Sequence, residues 1–361
     1  VKPMDQEKSP MTDLSTQNSI EKTLISIWER VLKVKDLEPD TDFFDSGGDS
    51  LTALTMVSMV EQETGKRLPI SSLFENPTVE QFARLLKDIK STPNWSCLVN
   101  IKKSGTKPAI YIVHGSGLNI LVFNPLAKYI NAQQPLYGIQ ALGLNGEKNP
   151  HNTIESIAEH YKDEILRNDP VGPYLLAGYS SGGILAYEMA KGFLETGKDV
   201  KMLAILDTYV GDRYAYSTIF KEFSKKVFRQ FKKLLFFSKL FVKSPKELYQ
   251  YQIKIIKLKL SKNAIKEHPE EFPYQKEVSK KYDQAFSNYI MKPLDIEIDL
   301  FKVKKRIYFL DDPTYLGWSK YAKKGLKVHE VSGDHKTFLF PPNDQKFARV
   351  FQSVIDDRID K

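Results

Sequence analysis

Residues 174–183 read Tyr-Leu-Leu-Ala-Gly-Tyr-Ser-Ser-Gly-Gly, an apolar run that ends in a glycine- and serine-rich turn and continues to Leu194 with helical periodicity. Residues 174–177 have the length and composition of a buried strand. A serine between Gly178 and Gly182, at the point where a strand hands over to a helix, is the pattern of a nucleophile elbow. Small neighbours allow the sharp turn, the hydroxyl stands above the sheet, and the helix N-terminus is aimed at it. Of the two adjacent serines, only Ser180 has glycine two residues away on both sides. Ser180 is therefore the candidate nucleophile, and Ser181 is expected to contribute its backbone N–H. A plain Gly/Ser turn is the simpler alternative, and the strand–turn–helix context argues against it.

Outward from this turn the chain alternates strands with helices. Residues 109–113, Ala-Ile-Tyr-Ile-Val, form a strand run ending in His114-Gly115-Ser116-Gly117, and residues 202–206, Met-Leu-Ala-Ile-Leu, form another ending at Asp207. Two more strands are expected at Arg306–Leu310 and Leu326–Val331. Such alternation predicts a parallel α/β sheet.

A serine hydroxyl at its free pKa is a poor nucleophile and needs a base and an orienting acid. Of six histidines, His335 in Gly333-Asp334-His335-Lys336 follows the last expected strand, giving the chain order serine, acid, histidine. His114 precedes the serine and fits better as part of the oxyanion wall. His151, His160, His268 and His329 lie in helical, polar or strand patterns, where a solvated or packed histidine is the simpler reading. Asp207 and the pair Asp311/Asp312 each end an expected strand, so the residues alone leave both open as the acid. Asp334 is read as shaping its loop. Oxyanion donors are expected from the backbone N–H groups of Ser181 and Ser116, each worth about 10²–10³ in rate. No metal is required.

The first ninety residues have a different pattern. Residues 1–17 are polar and read as a linker. A helix is expected from Asn18, with Glu21 as its capping partner and Ile20, Leu24, Ile27, Trp28, Val31 and Leu32 at helical spacing. A second starts at Ser50 with Leu51, Leu54 and Val57, and a third at Thr78, with Gln81 in the capping position. Together they predict a small helical bundle. Residues 43–51, Phe-Phe-Asp-Ser-Gly-Gly-Asp-Ser-Leu, place Ser50 at a helix start behind two glycines. A phosphate attached there would meet unsatisfied helix N–H groups; read alone, Asp49 or Ser50 serves equally as an ordinary N-cap.

The chain has 361 residues, 41% hydrophobic and 27% charged, enough for about two domains at roughly 150 residues each. No apolar run approaches the roughly 20 residues that span a bilayer, and the start lacks the features of a signal peptide, so a cytoplasmic protein without a membrane partner is expected. The single cysteine, Cys97, cannot form an internal disulfide or, alone, a structural zinc site. A chain beginning at Val1 reads as a piece of something longer. Its net charge of +8 is uneven: residues 211–292 carry 19 Lys+Arg against 8 Asp+Glu, whereas residues 17–90 carry 9 against 13. That concentration argues against a general nucleic-acid binder. Within 217–243, Phe220, Phe223, Val227, Phe231 and Leu234 recur among lysines and arginines, a basic amphipathic helix read first as a lid over an acyl channel and second as a membrane-surface segment.

With these motifs quoted, residues 18–355 closely resemble the terminal part of a nonribosomal peptide synthetase, a peptidyl carrier domain followed by a type I thioesterase. The resemblance rests on Phe44 to Leu51, Val113-His114-Gly115, Gly178 to Gly183, Asp207-Thr208 and Gly333-Asp334-His335. Asp49 stands where many carriers have histidine, a variant the family contains. The resemblance implies an all-α four-helix carrier domain at 18–90, a linker and thioesterase start at 91–107, and an α/β-hydrolase fold at 108–361 with a large helical lid insertion at about 211–292. It implies a catalytic Ser180, Asp207 and His335, favouring Asp207 over Asp311/Asp312, and 4′-phosphopantetheine carried covalently on Ser50. Implied partners are upstream adenylation and condensation domains, a phosphopantetheinyl transferase and a peptidyl thioester, which Ser180 would release by hydrolysis or cyclisation. A terminal thioesterase of a polyketide or fatty-acyl assembly line, or a non-catalytic carrier-docking fold, are the alternatives.

Overall fold

The computed structural model describes residues 10–48, 50–88, 96–144, 151–211, 273–304, 306 and 308–360, with scattered residues between 230 and 253. The chain divides into two compact units, Val1–Ser96 and Cys97–Lys361.

In the first unit, α1 (Pro10–Leu32), α2 (Ser50–Thr64), the short α3 (Ser72–Glu75) and α4 (Val79–Asp88) pack around one core. Leu24, Ile27 and Trp28 of α1 and Val79, Phe82 and Leu86 of α4 are fully buried with Phe43, whose ring meets Trp28 edge-on at 5.1 Å. The capping pair at the start of α4 forms as the sequence implies: Gln81 N–H donates to Thr78 Oγ1 and Thr78 N–H to Gln81 Oε1, both at 3.3 Å. The expected start at Asn18 is corrected, because α1 begins at Pro10 and residues 10–17 are helical rather than linker. Proline is well suited to a first helical position, where its missing N–H is not needed.

The second unit is built on a seven-stranded sheet in the order β1-β3-β2-β4-β5-β6-β7. Its strands are β1 (Leu98–Lys102), β2 (Ile110–Val113), β3 (Leu136–Ile139), β4 (Tyr174–Tyr179), β5 (Val200–Leu206), β6 (Ile298–Val303) and β7 (Leu326–Val331). All neighbours are parallel except β1, which runs antiparallel along β3 at the edge. The unit also contains helices α5 (Asn124–Tyr129), α6 (Ile154–Asn168), α7 (Gly182–Glu195), α8 (Pro273–Asn288) and α9 (Asp344–Ile359). Central strands are apolar on both faces, as in a parallel sheet covered on both sides.

One expected strand is misplaced. Residues 308–310 are half-buried loop, and the strand lies earlier, at Ile298–Val303, paired with both β5 and β7. Asp299 and Lys302 interrupt its apolar run, and they belong there because Asp299, fully buried, accepts from His329 Nε2 at 2.9 Å and Arg358 Nε at 2.7 Å. Short β3 escaped notice because Gly138 breaks its pattern; a Cβ there would lie 2.8 Å from Ile101 and Ile120. The expected lid segment lies largely outside the described residues, except for α8 near its end and scattered helical residues between 230 and 253, among them Leu234, which is exposed rather than packed. No described helix is long and apolar enough to cross a membrane.

Candidate active site

Strand β4 delivers the chain into the turn at Gly178–Gly183, and the turn closes because three glycines make room. A Cβ on Gly178 would sit 2.2 Å from the Gly182 carbonyl oxygen, and one on Gly182 would sit 2.2 Å from the carbonyl oxygen of His114. Both collisions are with backbone, which cannot swing away. Ser180 occupies the left-handed region at φ +54°, a strained conformation for a non-glycine residue. Its backbone is held by Ser180 N–H to Leu206 O at 3.0 Å, by Gly183 N–H to Ser180 O at 3.2 Å, and by the Thr208 hydroxyl, which also donates to Ser180 O.

Beyond the ends of the strands, Ser180, His335 and Asp207 come together. Ser180 Oγ lies 3.1 Å from His335 Nε2, and His335 Nδ1 lies 2.8 Å from Asp207 Oδ2. The neutral tautomer that fits both contacts carries its proton on Nδ1, donates it to the carboxylate and leaves Nε2 to accept the serine proton. Asp207 is buried and itself has φ +55°, so its carboxylate turns away from the strand axis. Its other oxygen accepts from Val303 N–H at 3.0 Å and from the Arg306 guanidinium. The carboxylate is therefore satisfied on both oxygens, as a buried charge must be.

Asp311 and Asp312 do not end a strand and do not approach His335. Asp312 accepts the N–H groups of Thr314, Tyr315 and Gly317 at 2.9–3.1 Å, which makes it a turn residue, and Asp311 accepts from the Tyr209 hydroxyl at 3.4 Å. Asp334 shapes its own loop, accepting from Lys336 N–H, Thr337 N–H and the Thr337 hydroxyl. Burial works against its charged form, but these donors prevail and hold its carboxyl below the usual range.

The Gly115-Ser116 turn after β2 lies beside the serine, since a Cβ on Gly115 would be 3.5 Å from Ser180 Cβ. Among the described residues, neither Ser116 N–H nor Ser181 N–H has a hydrogen-bond acceptor. A cavity of about 600 Å³ opens on the serine and is lined in part by Ile184, Tyr308 and, from α8, Asp283 and Phe286. His114 faces the other way. It is fully buried, with Nδ1 2.7 Å from Gly115 O and Nε2 3.0 Å from the Tyr161 hydroxyl, which in turn meets the Tyr282 hydroxyl of α8 at 2.6 Å. Burial pushes its pKa down to about 4, so it is neutral near pH 7.

Two residues that the sequence reading passed over hold the site. Tyr179 donates its hydroxyl to His335 O at 2.8 Å and stacks its ring on the imidazole, centroids 5.5 Å apart. Arg306 bridges Asp207 and the Tyr308 hydroxyl. Tyr179 could have been suspected from its place inside the elbow; Arg306 could not, because it falls where a strand was expected.

In the first unit, Gly47 (φ +95°) and Gly48 lead into α2, whose first residue is Ser50. A Cβ on Gly48 would lie 2.3 Å from the Phe43 ring, so the loop packs tightly only with glycine there. The first turn of α2 carries no acidic side chain among its residues, and a phosphate carried on the residue that opens a helix gains from the N-terminal N–H groups. The arrangement fits a phosphopantetheine group.

Residues 108–353 match the thioesterase domain family, and residues 22–86 match the phosphopantetheine attachment site family. The chain is 36% identical to the malpinin synthetase of Mortierella alpina over 195 residues, 53% of this chain and 2% of that protein. It is 34% identical to the indigoidine synthase of Dickeya dadantii (strain 3937) over 54% of this chain and 13% of that one. It is 33% identical to a dimodular nonribosomal peptide synthase of Bacillus subtilis (strain 168) over 52% and 8%. The chain thus spans a small part of the length of the curated relatives it matches. A solved four-domain nonribosomal peptide synthetase bound to AMP and glycine shares its fold, with TM-score 0.58 and 22% identity over 98% of this chain and 27% of that one. The NocB thioesterase domain, in covalent complex with a fluorophosphonate nocardicin G analogue, matches at TM-score 0.50 and 18% identity over 70% of this chain and 96% of its own. Since the first of these family matches covers more than half of the sequence, the chain belongs to the thioesterase domain family, preceded by a phosphopantetheine attachment domain in a carrier–thioesterase didomain.

Proposed function

We propose that this chain releases an acyl or peptidyl chain from a carrier thioester through an acyl-O-Ser180 intermediate, with a carrier domain at 18–90 and a thioesterase domain at 108–361. The observation that carries the proposal is the series Ser180 Oγ, His335 Nε2, His335 Nδ1, Asp207 Oδ2 at 3.1 and 2.8 Å. Phosphopantetheine on Ser50, when bound, supplies the thiol that holds the chain as a thioester. His335 takes the proton from Ser180 as Oγ attacks the thioester carbonyl. Asp207 keeps the imidazole in the productive tautomer and stabilises its charge, while Ser116 and Ser181 N–H groups receive the oxyanion. The carbon–sulfur bond then breaks, and His335 returns the proton to the leaving group. In the second half, His335 takes a proton from water, or from an amine or hydroxyl of the chain, and passes it to Ser180 Oγ as the ester breaks. Hydrolysis or cyclisation results.

The partners follow from this reading: upstream adenylation and condensation domains that build the chain, and a phosphopantetheinyl transferase that modifies Ser50. Incubation with such a transferase and an acyl-coenzyme A, followed by mass spectrometry, tests it. A loaded adduct on Ser50 that decays in wild type and persists in Ser180→Ala, with release slowed by a factor on the order of 10⁴ or more, is expected. Equal decay in both proteins would overturn the release mechanism, and no adduct on Ser50 would overturn the carrier assignment.

A further inference from the structure

Away from the serine, three metal-binding side chains meet where β1 packs against α6. Cys97 stands just before β1, buried, with its carbonyl accepting from Gln140 N–H at 2.9 Å. His160 and Glu164 lie one turn apart on α6, on the same face. One donor atom from each of Cys97, His160 and Glu164 lies within 4.8 Å of the others. His160 Nε2 is 3.4 Å from Glu164 Oε1, yet this buried nitrogen has no hydrogen-bond partner among the described residues. The other Glu164 oxygen accepts Leu98 N–H at 3.0 Å, which holds the carboxylate in place.

We propose that Cys97, His160 and Glu164 form a binding site for a divalent transition-metal ion of the zinc type. Thiolate, imidazole and carboxylate are the donors zinc takes, and a fixed outer partner such as Leu98 N–H is what orients a ligating carboxylate. Bond lengths of about 2.0–2.3 Å in a tetrahedral shell put donors roughly 3.3–3.6 Å apart. Donors up to 4.8 Å apart need to draw together by up to about 1.5 Å, a shift within reach of side-chain rotation, which leaves the fourth position of the shell for a water. Binding breaks the Cys97 S–H bond, forms the sulfur–metal bond and releases the proton to solvent. A simple His160–Glu164 ion pair through Nε2 is the competing account; it does not explain why the Cys97 sulfur lies within the same 4.8 Å as the imidazole and the carboxylate. None of the three residues lines the cavity at Ser180, so the ion would fasten edge strand β1 to α6 without entering the release chemistry.

The test uses the full chain, purified without a histidine tag, stripped with a chelator and titrated with zinc alone. One equivalent bound at submicromolar Kd, close to one proton released per ion and a higher Tm are expected. Cobalt(II) in its place should give a near-ultraviolet thiolate charge-transfer band that Cys97→Ser abolishes. His160→Gln should weaken zinc by more than roughly 100-fold, beyond the loss of an outer partner. Zinc binding weaker than micromolar, or unchanged in Cys97→Ser, would overturn the site and leave an ion pair only. Should either variant fail to fold, the wild-type cobalt spectrum decides, because absence of the charge-transfer band also overturns it.

Discussion

Ser180 and Asp207 both sit at positive φ, one at the end of β4 and one at the end of the neighbouring β5, and this shared strain turns their side chains toward His335. Neither Asp311 nor Asp312 reaches that histidine. Asp207→Asn is therefore expected to cut single-turnover release by about 10⁴-fold, the loss the same change brings in the serine-protease template, while Asp311→Asn stays within about threefold of wild type. Rapid-quench assays of acyl release compare them; equal losses would return Asp311 to candidacy. His114 makes a second prediction at this scale. Its folded pKa of about 4, depressed by burial, lies below the unfolded value of about 6.5, so between these limits the unfolded chain binds a proton that the folded chain does not. Stability of the second unit should consequently fall as pH drops through that window, by up to about 3 kcal/mol. Urea midpoints at pH 7 and near pH 4 measure it, and His114→Gln should flatten the dependence.

At the scale of elements, the elbow works because β4 and α7 meet through glycine. Gly178→Ala drives a methyl group into the Gly182 backbone, so release should fall by at least 10²-fold, on the order of losing one oxyanion donor. The first unit has a core of its own, so loading of Ser50 by a transferase should remain at the wild-type level in the same variant. A loss of both activities would show that the two units do not fold independently. The tyrosine pair adds a link between elements: Tyr161 on α6 joins His114, beside the Gly115-Ser116 turn, to Tyr282 on α8, whose next turn lines the cavity. Helix α8, which lines the cavity, is thus tied by buried hydrogen bonds to the loop expected to hold the oxyanion.

For the whole molecule, charge is the property that distinguishes the two units. Residues 17–90 carry 9 basic against 13 acidic side chains, and residues 211–292 carry 19 against 8. The opposite net charges of residues 17–90 and residues 211–292 should draw these two segments together over about 10 Å at ordinary salt and lose that reach as salt rises. Transfer from Ser50 to Ser180 should accordingly slow several-fold between low and roughly 1 M salt, whereas cleavage of a small uncharged thioester should not. Stopped-flow single turnovers on the two substrates would separate steering from a general salt effect.

The elbow, the histidine after the last strand and the Gly47–Ser50 loop were legible in the sequence, because each depends on local sterics: glycines where backbones touch, a serine between them, a hydroxyl residue opening a helix. Apolar runs at β2, β4 and β5 likewise announced buried strands, and the strand expected at 326–331 forms as the half-buried β7. Long-range pairing decided the rest. Strand β6 stayed hidden because its charged Asp299 is neutralised by His329 and Arg358, distant in the chain. Choosing Asp207 over Asp311 by residues alone was impossible, since both were expected at strand ends and only the sheet order places one against His335. Tyr179 packing on that histidine, Arg306 on Asp207 and Cys97 beside His160 join residues tens to hundreds of positions apart, and such contacts exist only once the sheet has formed.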